Sequence, residues 1–175
     1  MCDRGLLEID PSYMKLEYCL CISNSTQNKT VEGLSRLTGE DIYFYSPVQG
    51  QYPEKNPGGT NTIVLNSKQQ DSSKTYLRKF VANFSLKELH GCCGILVSYH
   101  TMIHPDYRGK GIANFLLEIK EDIARFNGYS VLLCTTTRDN AIEQHLLEKN
   151  GFTSNTKFDN KRTGNTVLMY SKILE

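Results

Sequence analysis

The stretch GILVSYHTMIHPDYRGKGIA, Gly94 to Ala113, decides the fold. Its first ten residues, to Ile103, are apolar and rich in β-formers, and His104-Pro105-Asp106 closes them with turn chemistry. From Lys110 the period changes. Ile112, Phe115, Leu116, Ile119, Ile123 and Phe126 recur at helical spacing on one face, and Gly128 supplies the left-handed stop that helices favour. A strand therefore feeds a helix through a short glycine loop.

Downstream the alternation continues. Ser130 to Thr136 (SVLLCTT) reads as a continuous buried strand. Asn140-x-x-Glu143 is a capping box that opens a helix running through Lys149 and ending at Gly151. Val167 to Ile173 is a final strand. Upstream, Met14 to Ile22 alternates as a strand, Thr30 to Leu37 is a short helix, and Ile42 to Tyr45 and Thr62 to Leu65 are short β candidates. Tyr76 to Phe84 alternates as a half-buried strand should. Two polar stretches, Ser46 to Thr60 and Ser67 to Lys74, read as surface loops. Strand–helix–strand–helix–strand spacing demands helices packed on a sheet, an α/β architecture in one domain spanning residues 1–175.

Composition narrows the function. A chain of 175 residues with 39% hydrophobic and 22% charged residues is an ordinary globular protein able to bury its own core. A net charge of +1 with no basic stripe gives no reason to bind nucleic acid or an anionic membrane. No apolar run approaches a membrane span, and the N-terminus lacks a signal-peptide pattern, so a cytoplasmic protein is expected, with the nucleus left open. Cys2, Cys19, Cys21, Cys92, Cys93 and Cys134 have neither knuckle spacing nor a following His pair, so no metal site is expected and the thiols read as free. The glycosylation-type triplets at Asn24, Asn28 and Asn83 are short enough to arise by chance.

Chemistry concentrates in Arg108-Gly109-Lys110-Gly111-Ile112-Ala113. Small residues clear the approach to the first helical turn, whose amides have no internal partner and lie at the positive end of the helix dipole. Arg108 and Lys110 add charge, so the loop is an anion cradle suited to a diphosphate. It is neither a P-loop, since Ile112-Ala113 follow Gly111, nor a dinucleotide fingerprint, since Asn114 stands where a third glycine belongs.

The segment from Met102 to Ala113 resembles the signature of the GNAT superfamily of acyl-CoA N-acyltransferases, [QR]-x-x-G-x-[GA] after an apolar strand, met here by Arg108, Gly111 and Ala113. A second landmark, a helix opening at Asn140 and ending in Gly151-Phe152, is similar to another element of that family. The resemblance covers roughly Gly94 to Glu175. It implies a mixed, mostly antiparallel sheet with a splayed parallel strand pair and helices on both faces. It implies acetyl-CoA (coenzyme A) as cofactor, the pyrophosphate on amides from Gly109, Lys110, Gly111, Ile112, Ala113 and Asn114, and the pantetheine arm beside the main chain of Met102 and Ile103. Asn140 is either a pantetheine ligand or a plain helix cap.

The reaction implied is acetyl transfer to a primary amine, of a small molecule or a protein, by direct attack, with homodimerisation left open. Such an amine is protonated near neutrality and must lose a proton before it attacks. Where the family often places a Tyr that protonates the leaving thiolate, this chain has Leu147. Unbroken strand parity puts Val97, Tyr99 and Thr101 on one face and Ser98, His100 and Met102 on the other. Tyr99 is then the candidate proton-relaying group on the cleft face, His100 a packed structural histidine, Tyr170 a weaker acid and His104 a turn-shaping residue. A bulge in the strand would change these faces. A second reading, that of an acyl-CoA-binding module without catalysis, fits the same cradle and the loss of the acid at Leu147. The substrate-facing segments that the resemblance implies, about residues 30–59 and 157–165, point to no particular amine.

Overall fold

The computed structural model describes Leu20 and residues 22–45, 61–70 and 76–175. The expected strand at Met14 to Ile22 and the loop at Ser46 to Thr60 fall almost wholly outside these residues. Ser23 opens helix α1, Asn24–Thr38, by accepting the Thr26 amide on its side chain, and Gly39, at φ 76°, ends it. The helix thus starts well before the Thr30 read from sequence. Strands β1 (Ile42–Tyr45), β2 (Asn61–Gln70), β3 (Tyr76–Glu88) and β4 (Ile95–Ile103) follow as an antiparallel meander. β2 continues through the stretch read as a loop from Ser67, because Ser67 is fully buried and pairs with Ile42 and Lys79.

Helix α2 (Ile112–Phe126) leads from β4 to β5 (Val131–Thr137), which pairs parallel to it. Helix α3 (Ala141–Lys149) leads to β6 (Thr153–Asp159) and then to β7 (Thr166–Ile173). The sheet runs β1-β2-β3-β4-β5-β7-β6. β6 went unread in the sequence because every residue of TSNTKFD is exposed, so this edge strand carries no buried alternation.

The crossovers β4–α2–β5 and β5–α3–β6 step in the same direction along the sheet. Right-handed connections then place both helices on one face. β7 confirms it: Lys172 reaches Glu121 of α2 at 2.7 Å and Tyr170 reaches Glu148 of α3 at 3.0 Å, from side chains two apart and hence on one face. α1 joins this layer, with Leu34 in the same core. The expected α/β class and splayed parallel pair stand. The placement of helices on both faces is corrected: the described helices share one. Between helices and sheet, Phe84, Leu86, Leu96, Leu116, Ile119, Ile123 and Leu132 are fully buried, each worth about 1.5–3 kcal/mol on leaving water.

Candidate cofactor and active site

Parallel pairing of β4 with β5 begins at Ile95 and Val131 and stops at Ser98 and Cys134. β4 continues to Ile103 and β5 to Thr137 without bonding to each other. A wedge therefore opens between two adjacent strands, and its mouth faces the loop that starts α2.

That loop is built for close approach to the backbone. Gly109 and Gly111 stand at φ 75° and 80°, a conformation that costs most other residues roughly 1–2 kcal/mol. Gly111 is the N-cap of α2 and offers no side chain, so the first-turn amides are uncapped, whereas Ser23 caps α1 and Asn140 caps α3. Arg108 Nε donates to the carbonyl of Ile103 at 3.1 Å and pins the loop to the strand end. Ile112 is buried and anchors the first turn, and Asn114 Oδ1 accepts from Asn150 of the α3 C-cap at 2.8 Å. Beneath the loop, Tyr107 is 2% exposed and donates to Glu40 at 2.7 Å. The ammonium groups of Lys79 and Lys110 sit 5.0 and 5.5 Å from its ring centroid. His104 Nδ1 accepts the Asp106 amide at 3.3 Å and so shapes the turn. Beside the cradle, α1 and α2 enclose a groove of about 820 Å³ that includes Arg36, Gly111, Asn114 and Phe115.

The strand carries the bulge that changes its faces. Asn83 pairs with Met102 and Ser85 with Tyr99, so three residues of β4 span what two residues of β3 span. His100 takes up the extra residue at φ 52°, the one positive φ outside glycine among the described residues. Asn83 and Ser85 share a face, so Tyr99 and Met102 share theirs. Thr101 is turned to the opposite face, where its Oγ1 accepts a 2.7 Å bond from Lys120 of α2. The expected grouping of Thr101 with Tyr99 is thereby corrected. His100 is not packed, as read, but exposed, with its ring edge-on to Tyr99 at 4.8 Å.

The remaining site residues fall as follows. Asn140 Oδ1 accepts from the Glu143 amide at 3.2 Å and its Nδ2 donates to that carboxylate at 2.8 Å, while its own backbone amide donates to Thr137, so the cap is closed through the side chain rather than as a full capping box. Leu147 is 1% exposed and packs in the core. Burial, followed by its bond to Glu148, pushes the Tyr170 hydroxyl above its ordinary pKa. Two groups escaped the sequence reading. Lys120 lay hidden on the apolar face of an amphipathic helix, where its only signal was a charge out of pattern. Asn83 Oδ1 is buried without a hydrogen-bond partner among the described residues, on the Tyr99 side of the bulge, which only a three-dimensional register reveals.

Residues 76–154, from β3 into β6, match the family model described as Acetyltransferase (GNAT) domain. No curated protein matches the sequence significantly. Solved structures share the fold. The IAA acetyltransferase from Bacillus cereus is 17% identical, with TM-score 0.57, over 76% of this chain and 99% of that one. YncA from Salmonella typhimurium, solved with its cofactor acetyl-CoA, is 18% identical, with TM-score 0.53, over 71% and 70%. Mutant forms of the spermidine/spermine N-acetyltransferase SpeG from Vibrio cholerae are 18% identical, with TM-score 0.51, over 66% and 67%. The glycine loop, the wedge and the family-model match agree: residues 76–154 are similar to the acetyltransferase domain of the GNAT family.

Proposed function

We propose that this protein transfers the acetyl group of acetyl-CoA to a primary amine. The observation that carries this reading is the uncapped first turn of α2 standing directly over the wedge where β4 leaves β5. The residues present suit the cofactor. The diphosphate takes the amides of Gly109 to Asn114 with charge from Arg108 and Lys110. The pantetheine arm, an extended chain bearing amides, suits the unpaired edge of β4 at Met102 and Ile103. Asn140 supports the site by capping α3. YncA, of the same fold, binds this cofactor.

The amine side follows from the other face of the bulge. Tyr99 is the first β4 residue past the last parallel pair, and the orphaned Asn83 Oδ1 lies on the same face. A buried acceptor without a donor suits an N–H-rich ligand such as an ammonium. A phenol hydroxyl is a weak base, so Tyr99 orders a water that carries the amine proton away rather than taking it outright.

The test is a thiol-release screen with acetyl-CoA against polyamines, aminosugars, arylalkylamines and histone-like peptides. Turnover with one amine class supports the reading. Tight coenzyme A binding with no turnover on any class favours the second one, a binding module, which the burial of Leu147 at the usual acid position supports.

A further inference from the structure

Lys120 is the anomaly of the molecule. It is 3% exposed, among Leu116, Leu117, Ile119 and Ile123 of its own helix, and forms no ion pair among the described residues. Its one hydrogen bond to the described residues runs from Nζ to Thr101 Oγ1 at 2.7 Å, and its ammonium lies 5.4 Å from the Phe84 ring centroid. The charged or titratable groups near it are Cys134 of β5 and Glu143 of α3. The Glu143 carboxylate is already held by Thr136 at 2.7 Å and Asn140 at 2.8 Å. Desolvation pulls the Lys120 pKa below its ordinary value, Cys134 and Glu143 opposing. A buried lysine without a carboxylate is costly, and such groups mark sites of function.

Its position fits that role. Cys134 is the last β5 residue paired with β4, and Thr101 lies on β4 just past the bulge, so Lys120 stands behind the closed end of the wedge, where the strands begin to part. Lys120 is eight residues into α2 from Ile112, about 12 Å along the helix from the cradle. An extended arm entering from the cradle runs toward that depth. Thr101 is exposed. With one oxygen lone pair filled by Lys120, its own hydroxyl proton is free to point outward, and the bond behind it strengthens it as a donor.

Building on the proposed acetyl transfer, we propose that Thr101 is the proton donor to the leaving thiolate of coenzyme A and that Lys120 positions and reprotonates it, in the role left empty at Leu147. The amine nitrogen, having lost one proton to water, attacks the thioester carbonyl carbon. The C–S bond breaks with its electron pair on sulfur. Sulfur takes the Thr101 hydroxyl proton, and Thr101 takes one from the Lys120 ammonium. Water removes the second proton from the new amide nitrogen and restores that of Lys120. One proton is released overall, as conversion of an ammonium to an amide requires. An ordinary lysine holds its proton too tightly for this exchange near neutrality. Burial loosens it.

The probe is coenzyme A itself, so no acceptor is needed. Its thiol is titrated by ultraviolet thiolate absorbance when bound to wild type, Thr101→Val, Thr101→Ser and Lys120→Met, with affinity measured by calorimetry. In the wild-type complex the thiol should titrate about one unit or more below free coenzyme A, the effect of a nearby cation and donor. Thr101→Val and Lys120→Met should lose that shift while affinity stays within about threefold, and Thr101→Ser should keep it. A wild-type thiol that titrates like free coenzyme A, or a shift that survives in Thr101→Val, overturns the proposal while leaving the cofactor site intact. Failure of wild type to bind coenzyme A at all overturns the cofactor reading beneath it.

Discussion

Lys120 Nζ donates to Thr101 Oγ1 across 2.7 Å, joining the middle of α2 to the strand segment just past the bulge. That bond leaves a buried ammonium with one neutral partner, which makes the site unfavourable for folding. Lys120→Met fills the same space without charge and should raise stability by about 1–3 kcal/mol near neutral pH. The sign with pH follows from the lowered pKa. Between its folded value and the 10.5 of the unfolded chain, the unfolded state binds more protons, so the penalty fades as pH rises through that window. Thermal melts of both proteins should converge toward pH 10.5; a constant difference contradicts the assignment.

Gly33 and Phe115 make a second sharp test. A Cβ on Gly33 would fall 2.2 Å from the tip of the Phe115 ring, which would have to turn away from α1. Replacing a helix-interior glycine by alanine normally stabilises by up to about 1 kcal/mol. Here overpacking wins, and Gly33→Ala should lower stability by about 1–3 kcal/mol in urea unfolding.

The bulge separates the roles of neighbours. His100 holds φ 52°, which glycine adopts freely and a β-branched residue resists. His100→Gly should keep the melting temperature and turnover, and His100→Val should lower the melting temperature. Tyr99→Phe should lower kcat about tenfold at nearly unchanged acetyl-CoA affinity, the mark of an interaction made in the transition state. Loss of turnover in a folded His100→Gly protein with a normal Tyr99→Phe protein reverses these roles.

What the sequence disclosed follows from how each signal arises. The α2 helix and β5 were legible because Leu116, Ile119, Ile123, Leu132 and Cys134 recur at the period of their element and are buried in it. The turn from β4 into α2 was legible because Gly109 and Gly111 take positive φ, which a local motif specifies. The cleft face was not. An extra residue at His100 leaves no trace in composition, yet it moves Thr101 away from Tyr99. β6 was invisible because an exposed edge strand need not alternate, and Lys120 because its meaning depends on Thr101, distant in sequence and adjacent in space.

The cradle carries the account, and Gly111 tests it most directly. At φ 80° a glutamate there is strained, and its carboxylate would occupy the proposed diphosphate site. Gly111→Asn, which tolerates the left-handed conformation better and adds no charge, separates strain from repulsion. The measurement is calorimetric titration of acetyl-CoA into wild type and both variants, each first shown to be folded by circular dichroism. The account predicts binding to wild type, weakened binding to Gly111→Asn and none to Gly111→Glu; acetyl-CoA bound as tightly by Gly111→Glu as by wild type would contradict it.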